Sequence, residues 1–244
     1  MQSERTAIVT GAGKRVGRAI AAALLEEGWS VVAHVHHESD DVPPGAHRVV
    51  ADLLEKECAE TIFALADTLP PPRLLINNAA RFAFDALGEF DPGELSAHMA
   101  VNVRAPILLI EQFAARQEPG ADSLIVNLLD SKLASPNPDF LSYTLSKQAL
   151  AGLTELAARA LARKGVRVNG IAPSLMLRST GQSEENFELM HSNNPLRRGV
   201  EASDVMRAID YLVGARCVTG EILVIDSGLR FLGLGRDVQF LGTS

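Results

Sequence analysis

Tyr143 and Lys147 stand four residues apart in LSYTLSKQAL. On a helix that spacing places both side chains on one face. A free tyrosine, with a pKa of about 10, is a poor acid–base catalyst at neutral pH. An ammonium group held one turn away stabilises the phenolate and pulls that pKa down. Asp130 follows the apolar run Leu124–Leu128. That run reads as a buried strand, and Pro136 and Pro138 mark the loop after it. A carboxyl group in a partly apolar cleft has a raised pKa and can donate a proton alongside a tyrosine. Reducing a ring C=N needs hydride at carbon and a proton at nitrogen, which Asp130 and Tyr143 could supply. Tyr-x-x-x-Lys alone is a weak signal, met far more often as a half-buried tyrosine and a surface lysine. The rest of the chain gives it weight.

Thr6–Thr10 reads as a short buried strand. It is followed by Gly11-Ala-Gly13-Lys14-Arg15-Val16-Gly17 and then by helical apolar spacing over Arg18–Glu27. Strand, glycine turn and helix form the context of a dinucleotide phosphate site, where the backbone approaches the pyrophosphate and the helix N-terminus supplies N–H groups. The glycine spacing departs from strict G-x-G-x-x-G. The second strand, Ser30–Val35, ends in His34-Val-His36-His37-Glu38. An acidic residue at that strand tip would bind the 2′-hydroxyl of NAD, whereas basic residues accept the extra phosphate of NADP. No acid occupies the tip, and Lys14 and Arg15 lie in the turn, so NADPH is the expected cofactor, with Glu38 the feature against it. No carboxylate or cysteine completes a metal set with the three histidines, so no metal is expected.

Further strands are expected at Arg48–Ala51, Leu74–Asn77, Val166–Ile171 and Glu221–Ile225. Helices are expected at Leu54–Thr68, Leu95–Arg116 (bent at Pro106, beside Asn102), Glu184–His191 and Ala202–Val213. Alternation of strand and helix argues a parallel doubly wound α/β sheet, whose site lies at the carboxyl ends of the strands. Gly11, Asp52, Asn77, Asp130 and Pro173 all fall just past expected strand ends. Residues 174–195 carry weak regular signal but many apolar side chains, which suits a substrate lid.

The chain has 244 residues, 47% of them hydrophobic, and a net charge of −7. One domain over residues 1–244 is expected, with a sizeable core. Nucleic acid and membrane are not expected as partners, because no basic block occurs and no apolar run approaches the roughly eighteen residues of a span. A strand begins within a few residues of Met1, leaving no room for a signal peptide, and Cys58 and Cys217 show no metal or redox spacing. A cytoplasmic location is the expectation.

Thr10-Gly11…Gly17, Asn77-Asn78-Ala79, Asn102, Tyr143-x-x-x-Lys147 and Pro173 occur in the order and spacing of the short-chain dehydrogenase/reductase family, which the chain resembles over nearly its whole length. The resemblance implies a Rossmann-type sheet of about seven strands with helices on both faces and a nicotinamide cofactor. It implies Tyr143 as proton donor or acceptor, Lys147 on the ribose and Asn102 holding a water relay. Most members have Gly at Arg15 and Ser at Asp130. The pteridine reductases of this family instead carry T-G-x-x-x-R-x-G and an Asp thirteen residues before the Tyr, which Thr10–Gly17 and Asp130 match. His34-x-His36 resembles their second-strand end. Phe82 falls where theirs has an aromatic that stacks on the pterin, while His37, Glu38 and Ala80 depart from their pattern.

The expected catalytic set is therefore Asp130, Tyr143, Lys147 and Asn102. The expected cofactor set is Gly11, Gly13, Lys14, Arg15, Val16, Gly17, His36, His37, Asp52, Leu53, Asn78, Ala79, Tyr143, Lys147 and Pro173. Arg15, Phe82, Asp130 and Tyr143 are expected to meet the substrate, a dihydropterin or dihydrofolate. The alternatives are a ketone or 3-oxoacyl substrate, or a cofactor-binding regulator without turnover. A homotetramer is expected, because the Tyr143 helix is apolar on more than one face through Leu161 and the resemblance implies pairing through it and the last strand. The apolar tail (Phe231, Leu232, Leu234, Phe240, Leu241) is expected to add to that contact.

Overall fold

The inner strands are nearly continuous runs of apolar residues, as strands covered on both faces must be. In the computed structural model, which describes residues 5–178 and 181–241, seven strands form one parallel sheet in the order β3-β2-β1-β4-β5-β6-β7. They are β1 (Thr6–Val9), β2 (Ser30–Val35), β3 (His47–Val50), β4 (Pro72–Asn77), β5 (Ser123–Leu128), β6 (Val166–Pro173) and β7 (Ile222–Ile225). The helices are α1 (Arg15–Glu26), α2 (Cys58–Ala66), α3 (Pro92–Met99), α4 (Ala105–Ala115), α5 (Leu141–Leu161), α6 (Glu184–His191) and α7 (Ala202–Gly214).

Side chains alternate across the sheet. Ala7 and Val9 of β1 pack with Ile20 and Leu24 of α1 and with Val205 and Ile209 of α7. Ile8 between them joins Ile62 and Phe63 of α2 and Leu109 and Phe113 of α4 on the other face. Strand order reverses between β1 and β4, and the crevice at the carboxyl ends of those two strands is where such sheets bind ligands. Buried Arg167 of β6 donates to the Leu212 carbonyl of α7 at 2.7 Å and to Ala215 O at 3.2 Å, satisfying carbonyls that a helix C-terminus leaves open.

Apart from shifts of one or two residues at other strand ends, four differences from the sequence-based expectation have a visible physical reason or bear on the site. α2 begins at Cys58 rather than Leu54, because the Asp52 side chain accepts from Leu54 N at 2.9 Å and folds the intervening residues into turns. α1 begins one turn earlier than expected, straight from the glycine turn. The expected helix Leu95–Arg116 is two helices joined by a π-helical turn, Ala100–Arg104. Pro106 sits in the first turn of α4, where a missing N–H costs nothing, and Ala105 N–H reaches back five residues to Ala100 O. β6 runs on to Pro173 because β7 pairs along it as far as Pro173–Ile225. Residues 179 and 180 of the expected lid lie outside the described residues.

Candidate active site

α5 carries Tyr143 and Lys147, and its first turn needs a cap. Phe140 precedes it in the left-handed region, at φ 55°, with no side-chain cap of its own. Asp85, on the loop after β4, supplies one. Its Oδ1 accepts from Ser142 N at 2.9 Å, its Oδ2 accepts from Ser142 Oγ, and its carbonyl accepts from Leu141 N at 3.0 Å. Asp85 is 2% exposed, so these bonds fix α5 to the loop that carries Phe82. Sequence reasoning missed Asp85. A cap that lies 57 residues away leaves no local signature.

Tyr143 Oη donates to Asp130 Oδ2 at 2.9 Å, and Lys132 N donates to Asp130 Oδ1 at 2.8 Å. Burial raises the Asp130 pKa, against the stabilising pull of the Lys132 N–H, the Tyr143 hydroxyl and Lys147. Burial, followed by the Asp130 charge, lifts the Tyr143 phenol well above its ordinary value. The expectation that Lys147 pulls this phenol down is thereby reversed, first because the hydroxyl is buried and then because the charge beside it is a carboxylate. Lys147 Nζ donates to Leu128 O at 2.6 Å and lies 5.7 Å from the Tyr143 ring centroid. Burial brings its pKa down to about 8, with Asp130 pulling the other way. The arrangement is a protonated phenol beside an acid of raised pKa, with an ammonium group beneath.

Asn102 lies in the π turn. Its Oδ1 accepts from Arg81 N at 2.8 Å, while its Nδ2 donates to Arg81 O at 3.0 Å and to Ser146 Oγ at 2.8 Å. These bonds join the loop after β4 to α5. They point to the backbone of Arg81 and to Ser146, and not to the Tyr143 hydroxyl.

The opposite half of the crevice is built on the glycine turn. Gly11 has φ 66°, and a Cβ there would lie 3.0 Å from Ala79 Cα. A side chain at Gly17 would strike Gly11 O at 2.2 Å. Thr10 Oγ1 accepts from Asn78 N at 2.9 Å and from Ala79 N at 3.0 Å, holding the ends of β1 and β4 together. His34 Nδ1 accepts from Gly11 N at 3.2 Å, and its Nε2 lies 3.0 Å from Ala51 O. A neutral ring protonated on Nε2 satisfies both contacts, and burial holds its pKa down. Sequence reasoning placed its weight on His36 and His37. The alternation of β2, which turns His34 inward, was the available signal.

Every expected site residue except Asn102 lines one cleft of about 860 Å³ at the switch between β1 and β4. His36 lies 3.7 Å from Asp52 and its ring is 4.0 Å from that of His37. Glu38 is bound by Arg48 at 2.9 Å. Arg15, expected at the phosphates and the substrate, lines the cleft and donates to Leu177 O (3.3 Å) and Arg178 O (3.0 Å). Phe82 stacks on Phe140 at 4.4 Å and meets the Tyr143 ring edge-on at 4.7 Å. Leu234, Asp237 and Val238 of the C-terminal tail also line the cleft, a placement that their apolar neighbours in the sequence had suggested only as a subunit contact. The uncapped first turn of α1, the close approach at Gly11 and Gly17 and the β2 end fit a nicotinamide dinucleotide. Among the described residues, no group of three or more His, Cys, Asp or Glu is placed to hold a metal ion.

A parallel seven-stranded sheet with a glycine turn at its switch point and Tyr143 and Lys147 across the cleft defines an oxidoreductase of the Rossmann type. A family model described as enoyl-(acyl carrier protein) reductase matches residues 11–230, and the chain belongs to the short-chain dehydrogenase/reductase family. Pteridine reductase 1 of Leishmania tarentolae is 30% identical, over 91% of this chain and 95% of its own. The 3-oxoacyl-acyl-carrier-protein reductase FabG of Staphylococcus epidermidis is 25% identical, over 92% and 98%. The crystal structure of FolM alternative dihydrofolate reductase 1 from Brucella suis, in complex with NADP, superposes with a TM-score of 0.89 at 34% identity, covering 95% of this chain and 97% of that one.

Proposed function

We propose that this chain is an NADPH-dependent reductase of a pterin-type substrate, a dihydropterin or dihydrofolate. The observation that carries the reading is the 2.9 Å hydrogen bond from Tyr143 Oη to Asp130 Oδ2. It sets the phenol beside a carboxyl group of raised pKa that can share its proton, and a serine, a far weaker acid, could not take that part. NADPH lying along the glycine turn would supply the hydride. Tyr143 and Asp130 hold the proton for ring nitrogen, Lys147 balances the charge left behind, and Phe82 offers a flat apolar face for a planar ring. The similarity to pteridine reductase 1 and to FolM supports this reading.

The β2 end supports NADPH over NADH: His36 and His37 stand there, no acid occupies the strand tip, and Arg48 takes up the Glu38 carboxylate. Residues 1–244 act as one dinucleotide-binding and catalytic domain, with 174–195 as a substrate lid held at its start by Arg15. The reading extends to a homotetramer. α5 exposes Leu145 and Leu156, α4 exposes Ile107 and edge strand β7 exposes Ile222, giving two apolar faces for pairing. The free Cys58 and Cys217 suit the cytoplasm, and among the described residues no helix is long and apolar enough to cross a membrane.

A second reading, reduction of a ketone or 3-oxoacyl group, is favoured by the similarity to FabG. One assay separates the two: NADPH and NADH consumption with a panel of dihydropterins, dihydrofolate, ketones and a 3-oxoacyl thioester. Asp130→Ser should cut pterin turnover by about 10²–10⁴-fold and raise the ketone-to-pterin ratio, whereas Tyr143→Phe should damage both. An unchanged ratio in Asp130→Ser would sink the pterin reading.

A further inference from the structure

Residues 81–85 follow β4 without joining a strand or a helix. Such a segment has no ladder to hold it, so its backbone groups need partners from elsewhere. Exposure alternates along it: Phe82 and Phe84 are 44% and 45% exposed, Arg81 and Ala83 are half-buried, and Asp85 is buried. The odd-numbered residues are the ones pinned. Asn102 of the π turn holds the N–H and the carbonyl of Arg81, at 2.8 and 3.0 Å. Asp85 is joined to Ser142 of α5. Between them, Ala83 N donates to Nε2 of His98 at 3.3 Å. His98 stands on α3, fully buried. Its Nδ1 lies 2.8 Å from Glu94 O, one turn back, and a proton on Nδ1 leaves Nε2 as the acceptor. The Glu94 carboxylate in turn accepts from Arg81 Nη2 at 2.6 Å, so α3 grips the segment twice.

The even-numbered side chains build an aromatic cluster. Phe82 stacks on Phe140 and meets Tyr143 edge-on, and Phe84 meets Phe140 edge-on at 5.4 Å. The far side of the cluster is Phe240 of the C-terminal tail, stacked on Phe140 at 6.0 Å. That side is tied down repeatedly. Asp139 accepts from Asp237 N at 2.7 Å, Asn186 of α6 donates to Val238 O at 3.4 Å and to Leu241 O, and Lys132 Nζ faces Asp237 Oδ2 at 3.5 Å. The near side depends on His98, whose bond falls on the amide between the two phenylalanines. We propose that His98 is a positioning residue: by accepting from Ala83 N it fixes the plane of the Phe82 ring, and so sets how well the cleft holds a flat ring substrate. The hydrogen bonds of His98 go to Ala83 and Glu94, so its effect on the substrate is exerted through Phe82. This inference rests on the pterin reading above.

The test is steady-state kinetics of the full chain with NADPH and a dihydropterin. His98→Leu fills the space but accepts nothing. It should raise KM about three- to tenfold, the size of one hydrogen bond, with kcat changed less. His98→Gln can set its Oε1 where Nε2 stands and should recover most of that loss. His98→Asn ends one atom shorter, near the position of Nδ1, and should not. In a Phe82→Ala background, His98→Leu should add no further change in KM, because the ring it positions is gone. A KM that rises alike in the Gln and Asn variants, or losses that add in the double variant, overturn the proposal and leave the pterin reading standing. The comparison of Gln with Asn decides the matter if His98→Leu does not fold. An unaltered chain that reduces no dihydropterin overturns both.

Discussion

Asp85 and Ser142 are separated by 57 residues in sequence and joined by two hydrogen bonds, so the loop bearing Phe82 and Phe84 is also the cap of the helix bearing Tyr143 and Lys147. The loop and α5 are therefore tied to one another. Asp85→Ala should cost about 1–2 kcal/mol, the range for a lost N-cap, and should lower kcat more than the loss of stability explains. Asp85→Asn, which keeps one acceptor, should fall between. Paired melting and turnover measurements check this; a kcat unchanged in Asp85→Ala would break the link between cap and chemistry.

The Lys147 ammonium titrates at about 8 because burial disfavours its charge. Below that pH the ammonium offsets the Asp130 charge, and above it the offset is lost. We expect kcat/KM to decline on the alkaline side with a midpoint near 8. Lys147→Met should abolish the limb along with most of the activity, and the pH profile of the unaltered chain tests the position directly.

Asp130 has a raised folded-state pKa, with burial as the first cause. A carboxyl group raised in this way contributes its stability below its unfolded pKa and loses it as pH rises through the folded one, so at neutral pH and above the ionised group is a cost. Asp130→Asn should therefore melt higher than the unaltered chain at pH 8, by about 2–4 °C for each 1 kcal/mol relieved. The gap should close in acid, where both side chains are neutral, while pterin turnover collapses. An unaltered melting temperature across the range would show that Asp130 carries no such burden.

Arg48 binds Glu38 at the edge of the cofactor half. Removing that carboxylate frees a guanidinium suited to phosphate and removes a repulsion. Glu38→Ser should tighten NADPH at least several-fold with little effect on NADH, and Arg48→Ala should weaken NADPH. Fluorescence titration of both cofactors decides it; equal shifts for the two cofactors would place this corner away from the 2′-phosphate.

Much of this site was legible because its residues sit at strand ends, and strand ends follow from apolar runs bounded by glycine, proline and polar residues. Gly11, Asp130 and Pro173 are placed in this way by the sequence alone. Asp85, His34 and Asp237 are not. Each works through a partner far off in the chain, at Ser142, Gly11 and Lys132 respectively, and no periodicity reports such pairings. The π turn at Asn102 was half visible: Pro106 announced an irregularity, but whether it becomes a bend or a widened turn depends on how α3 and α4 pack against α5. The Tyr143 pKa failed for a similar reason. Spacing showed the lysine one turn away and Asp130 within reach, while the burial of the hydroxyl, which comes from elements distant in the chain, left no local signal.

The tail bound by Asp139, Asn186 and Phe140 gives residues 236–241 an unusual weight. A premature stop just after Gly235 would leave all seven strands, the glycine turn and the Tyr143–Asp130 pair encoded. The shortened product should still fold and take up its cofactor, yet present an unfenced reaction centre to solvent. Such a nonsense allele would escape an expression screen and show its defect only as loss of discrimination among substrates.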